Sequence, residues 1–177
     1  MKPERFVPLV VVALLCLALG LGLSGGHGKV RERAIGRAIG DFTIPVLGMK
    51  GRSFSPERWK GHAAIITLFA SWCEPCQLEH ETLLRLRKAT RVPIYGIAWK
   101  DRESTVANWL KQHGNPYTLV GFDAAGDATL PFSMTGVPET FILDSDGIVR
   151  FHSSAALTDE IVEKQILPLL KTLEGAS

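Results

Sequence analysis

An unbroken apolar run, AAIITLFAS at residues 63–71, stops one residue short of Cys73-Glu-Pro-Cys76. The run is rich in β-formers and shows no polar alternation, the pattern of a strand buried on both faces. Directly after it, CEPCQLEHETLLRLRK places Leu83, Leu84 and Leu86 on one side and charges on the other, an amphipathic helix. A buried strand feeding straight into a helix whose first turn holds two cysteines leaves few architectures. The strand needs cover on both faces, so the chain is expected to be α/β.

The rest of the chain agrees with that reading. PVLGMKGRSFS, with Gly48 and Gly51 near its reversal, reads as an N-terminal β-hairpin. VPIYGIAW is a second buried strand, RESTVANWLKQHG a helix closed by Gly114, and YTLVGF a short strand. ETFILD, the turn Ser145-Asp146-Gly147 and IVRFH form a hairpin. A last helix over residues 158–173 begins on Thr158 as N-cap. The expected fold is a mixed sheet with helices on both faces.

Cys73 and Cys76 carry the chemistry. As zinc ligands with His80 they lack a second pair to close a structural site, and copper delivery favours a three-residue gap and a distant histidine. A structural bridge over so small a loop stabilises little. A redox couple remains, with no metal and no cofactor expected. At a helix start, unpaired amides and the dipole favour a thiolate. Cys73, expected to be the more exposed, becomes the attacking thiol and Cys76 the resolving one. Pro75 stiffens the first turn at no cost in hydrogen bonds. Glu74 disfavours the thiolate and makes the disulfide harder to reduce, which points to a reductant. Trp72 is placed to shield the pair and touch substrate. In GVPETFILD, the proline ahead of a strand suggests a cis Val137–Pro138 bond lying against the cysteine loop, with Glu139 at the rim of the same groove. His62, His113 and His152 fall at element ends and are expected to be solvated; His80 is expected to pack or sit at the surface.

Charge is unevenly shared. Residues 1–40 carry six Lys/Arg against two Glu, and residues 41–177 carry fourteen against sixteen Asp/Glu. A slightly acidic folded part excludes a nucleic-acid partner, which needs a basic face. Residues 6–23 are apolar throughout and just long enough to span a bilayer. The expected organisation is a cytoplasmic N-terminus (1–5), a transmembrane anchor (6–23), a linker (24–40) and a folded domain (41–177), with a cleaved signal as the competing reading. Cys16 within the anchor is read as a passive apolar residue, because Leu15 precedes it where acylation wants a small one. Lys29, Arg31, Arg33 and Arg37 count toward retention of the domain in the cytoplasm. Export is preferred because a two-cysteine domain makes chemical sense outside the reducing cytosol.

FASWCEPCQLEH, YGIAWKD, WLKQHGNPYTLVGFDAAGD and GVPETFILDSDGIVRFH together resemble the thioredoxin superfamily. More narrowly they resemble the membrane-anchored CcmG/DsbE proteins of cytochrome c maturation and the related ResA. The resemblance covers nearly the whole chain. It implies a thioredoxin fold, Cys73 as nucleophile, Cys76 as resolving thiol, Pro138 as cis-proline, and Glu79 and Glu139 as acidic groups tied to a reducing role. The implied substrate is the disulfide in an apocytochrome Cys-x-x-Cys-His motif, or another protein of haem attachment. The implied electron donor is a membrane thiol transporter of the DsbD/CcdA type, and the implied site of action is the periplasmic face of a bacterial inner membrane. Alternatives are a general reductase of exported proteins and a binding module that handles apocytochrome or haem with little turnover. Thr135 stands where that family has an aromatic residue. Thr67 stands where thioredoxin keeps a buried acid, which leaves proton handling to Glu79.

Overall fold

The computed structural model describes residues 34–175. The expected N-terminus (1–5), the anchor (6–23) and the linker as far as residue 33 lie outside the described residues. Among the described residues no helix is long and apolar enough to cross a membrane.

Among the described residues seven strands form one mixed sheet: β1 (Ile44–Val46), β2 (Met49–Phe54), β3 (Ala64–Phe69), β4 (Ile94–Trp99), β5 (Leu119–Asp123), β6 (Glu139–Leu143) and β7 (Val149–Ser153). Their order is β2-β1-β5-β4-β3-β6-β7. β3, β4 and β5 are parallel, whereas β6 runs antiparallel to β3 and β7 to β6. The apolar run at residues 63–71 thus lies in mid-sheet, and every residue of β3 is buried.

Topology decides where the helices go. The steps β3 to β4 and β4 to β5 move in one direction across the sheet. Right-handed crossovers therefore bring α1 (Glu74–Ala89) and α2 (Glu103–His113) to the same face. The C-terminal helix α4 joins them, built from Asp159–Ile161, a π segment Val162–Ile166 and Leu167–Glu174. Pro168 has no amide to donate one turn back, and the helix widens just ahead of it. Leu83 and Leu86 of α1, Val106 and Leu110 of α2 and Val162, Ile166 and Leu170 of α4 share one core with Ile65, Phe69 and Ile142.

The opposite face holds Phe54, Trp59, Ile66, Leu68, Phe132 and Phe141. Its cover is the chain leading into β1, a 3-10 turn at Pro56–Arg58 and the short α3 (Thr129–Phe132). Among the described residues helices do lie on both faces, but the long ones α1, α2 and α4 all lie on one.

The folded unit begins at Ala34, earlier than the boundary at residue 41 read from composition. Gly36 N–H donates to Val149 O at 2.8 Å, Val149 N–H to Arg37 O at 2.9 Å, and Ala38 bridges Ile148. Ala34 and Ile39 pack against the second core. The two Ala-Ile-Gly triplets of this stretch supply apolar anchors that its glycines and Arg37 disguise as a linker.

Candidate active site

Cys73 is the N-cap residue of α1, and Cys76 lies in the first turn. They form a disulfide with Cα atoms 5.3 Å apart. The Cys76 amide points at Cys73 Sγ, 3.2 Å away, so an orphan donor of the helix start is directed at that sulfur. Pro75 occupies the first turn, where its missing amide costs nothing. Cys73 is 4% exposed and Cys76 2%, so Cys73 is the more exposed of the two as expected, but both are buried in the oxidised protein. The cover comes from the loop on the other side, where Val137 O stands 3.5 Å from Cys73 Sγ.

That loop ends in a cis Val137–Pro138 peptide. Just behind it, Glu139 is 1% exposed, buried under the loop and not at a groove rim. Glu139 Oε1 accepts from Thr135 N–H (2.7 Å), Thr135 Oγ1 (2.8 Å) and Gly136 N–H (3.3 Å). Oε2 accepts from His152 Nε2 at 3.0 Å. Burial works against ionisation, yet the bonds from His152 and Thr135 outweigh it and hold this carboxyl below the usual glutamate range. Thr135, standing where the resembled family has an aromatic residue, serves here as a double donor to Glu139.

Glu79 lies one turn beyond Cys76 on α1, also 1% exposed. Burial pushes its carboxyl up to about 7, against a hydrogen bond from Leu157 N–H to Oε2 at 2.8 Å. Oε1 is buried without a hydrogen-bond partner. A carboxyl poised near neutrality one helical turn from a cysteine can hold or release a proton there. Thr67 is fully buried against Thr140, its hydroxyl 3.5 Å from the other.

Trp72 is 58% exposed beside the disulfide, its Nε1 donating to Lys100 O at 3.1 Å and its ring tilted over Trp99. An open groove runs from it, lined by Ser71, Lys100, Asp101 and Arg102. Glu74 projects outward and is exposed. The structure thus gathers Trp72, Cys73, Pro75, Cys76, Val137 and Pro138 at one place, with Glu79 and Glu139 behind it.

Two residues escaped the sequence reading. Asp101 Oδ2 accepts from Ser71 N–H at 2.6 Å and ties the turn before the cysteines to the end of β4. Nothing in its spacing marks it. His152, expected to be solvated, is 4% exposed and paired with Glu139. Simple alternation in β7 would put His152 on the face of the exposed Arg150. A bulge intervenes: Ile142 faces Phe151 and Leu143 faces Val149, leaving Arg150 as the extra residue and turning His152 inward. Of the other histidines, His80 packs edge-on against Trp109 with Nε2 3.1 Å from Gly114 O. His62 is half-buried near Tyr95, and His113 is exposed.

Comparison with known proteins fits this geometry. The Redoxin family profile matches residues 34–166. The thiol:disulfide interchange protein DsbE of Xylella fastidiosa (strain 9a5c) is 32% identical over 98% of this chain and 92% of its own. DsbE of Yersinia pestis is 32% identical over the whole of both. Among solved structures, a DsbF homologue from Corynebacterium diphtheriae superposes with TM-score 0.68 at 18% identity, covering 81% of this chain and 96% of that one. A secreted thiol-disulfide isomerase from Corynebacterium glutamicum gives 0.67 at 17% identity over 75% and 85%. These two share the thioredoxin fold. With a disulfide across Cys-x-x-Cys at a helix start and full-length similarity to DsbE interchange proteins, the chain belongs to the Redoxin family and is a thiol–disulfide oxidoreductase.

Proposed function

We propose that this oxidoreductase works as a reductant, and that its substrate is the disulfide of an apocytochrome c Cys-x-x-Cys-His motif. The observation that carries the reading is the setting of the pair, a helix-start disulfide faced by the cis-proline loop and backed by buried Glu79 and Glu139. The resemblance of the motifs to cytochrome c maturation proteins supplies the substrate.

In the reduced protein, the Cys73 thiolate, steadied by the Cys76 amide, attacks one sulfur of the substrate disulfide. A mixed disulfide forms and one substrate thiolate leaves. Cys76 then gives up its proton, for which Glu79 is the nearby acceptor, and attacks Cys73 Sγ. The second substrate thiol is released with both electrons, and the Cys73–Cys76 disulfide closes. Val137 backbone pairs with the extended substrate while Trp72 covers the exchanging sulfurs. The buried carboxyl beneath Cys76 disfavours a thiolate there, so the dithiol gives up its electrons readily, while Glu74, projecting into solvent, adds little. Residues 6–23 anchor the domain on the periplasmic side of a bacterial inner membrane. A membrane thiol transporter of the DsbD/CcdA type restores the dithiol.

The test is trapping in cells with full-length Cys76→Ser protein. Expected is an apocytochrome held on Cys73 as a mixed disulfide that a thiol reductant releases. Capture of unrelated exported proteins favours a general reductase instead. Normal holocytochrome c in a strain carrying only the Cys73→Ser/Cys76→Ser protein overturns the substrate assignment and favours a binding role.

A further inference from the structure

We propose that His152 is a positioning residue for disulfide exchange, acting through Glu139 on the loop that meets Cys73. The inference rests on the oxidoreductase activity alone and is independent of which protein is the substrate.

Glu139 and His152 lie diagonally across the antiparallel β6–β7 pair, since His152 stands opposite Phe141. Its ring stacks on Phe141, with centroids 4.3 Å apart and planes 12° apart. That stacking fixes the direction in which Nε2 points. Because a carboxylate only accepts, the 3.0 Å contact requires the proton on Nε2. The two carboxylate oxygens then have separate tasks. Oε2 is held by His152, while Oε1 gathers three donors from residues 135 and 136. Those residues lead directly into Val137, whose carbonyl lies 3.5 Å from Cys73 Sγ. The chain of contacts runs from β7, through one buried carboxylate, to the backbone that an extended substrate must meet.

Without His152, Oε2 would be a buried charged oxygen with no partner, and the carboxylate would have to rotate or take up a proton. Either change disturbs the oxygen that closes the 135–136 turn. A core-filling histidine would need no such alignment, and the β-bulge that turns this side chain inward gives it one. Thr135, exposed on the far side of the carboxylate, is the second handle on the same clamp.

The experiment uses the full-length reduced protein and two probes. One is a short peptide with an oxidised Cys-x-x-Cys; the other is 5,5′-dithiobis(2-nitrobenzoate), which has no backbone to pair with Val137. His152→Leu is expected to slow peptide reduction by about tenfold or more while leaving the small disulfide at the wild-type rate. His152→Gln, which keeps an N–H donor near the place of Nε2, is expected to recover most of the peptide rate. Thr135→Val, at an exposed site that does not threaten folding, should slow the peptide reaction less. Combined with His152→Leu it should add less than its separate effect, because both act through Glu139. An unchanged peptide rate in His152→Leu, or equal slowing of both probes, overturns the proposal. If His152→Leu does not fold, a wild-type peptide rate in Thr135→Val overturns it.

Discussion

Glu79 has no salt-bridge partner among the described residues, accepts one backbone hydrogen bond and is 1% exposed, so its charged form is the costly one. With its carboxyl raised to about 7 from an ordinary 4.5, the native state keeps a proton that the unfolded chain has already released. Stability contributed by this group is therefore complete below about pH 4.5, falls as pH rises toward 7, and is gone above it. In the oxidised protein, Glu79→Gln is expected to flatten that decline and to be the more stable form at pH 8 by about 3 kcal/mol. Urea unfolding at pH 5 and pH 8 measures it; a variant that keeps the wild-type slope contradicts the assignment. The same substitution removes the proposed acceptor for the Cys76 proton, so the mixed disulfide with a Cys-x-x-Cys peptide should persist longer in quenched-flow traces. At this scale the two cysteines and Pro138 were legible because their chemistry needs those residue types at those places. The burial of Glu139 was not, because a carboxylate beside a proline reads as solvent-facing until its donors on Thr135 and Gly136 are seen.

Elements follow from periodicity wherever the pattern is long. β3 and α1 read directly from their apolar spacing, and the Thr158 cap of α4 is present, accepting from Ile161 N–H at 3.3 Å. The bulge in β7 is different. Its cause is a pairing register across two strands, and one strand's alternation carries no trace of it. The same limit hid the role of Gly96 in mid-β4. A Cβ there would come 2.9 Å from Phe69 and 3.0 Å from Tyr117, whose rings stack 4.8 Å apart. The glycine makes room for that stack on the face that carries α1. Gly96→Ala is expected to destabilise the protein by about 1–3 kcal/mol through overpacking, read as a lowered denaturation midpoint. Because the rings belong to the core that holds both cysteines, near-ultraviolet circular dichroism should change as well. An unaltered midpoint would mean that the stack yields easily.

For the molecule as a whole, the composition boundary and the folding boundary differ by seven residues. Basic and glycine-rich character marks residues 34–40 as linker, whereas backbone pairing with Ile148 and Val149 makes them part of the domain. A chain starting at residue 34 is expected to melt cooperatively, and one starting at residue 41 to lose about 2 kcal/mol or more from three lost backbone contacts and the Ala34 and Ile39 packing. Equal melting temperatures would contradict this. Sheet order was not legible either, since local patterns identify strands but not their neighbours. Three strands stepping in one direction then put α1 and α2 on one face, where α4 joins them, and among the described residues the other face is left to loops, the 3-10 turn and α3. That arrangement leaves the disulfide loop facing the cis-proline loop, with carboxyls behind both. In the proposed role this pair donates electrons. Its most direct test is the reduction potential of Cys73–Cys76 in the full-length protein, equilibrated against defined thiol–disulfide buffers. The expected value lies between about −180 and −270 mV, the range of isomerases and reductants. A value near −120 mV, that of a strong oxidant, would contradict it.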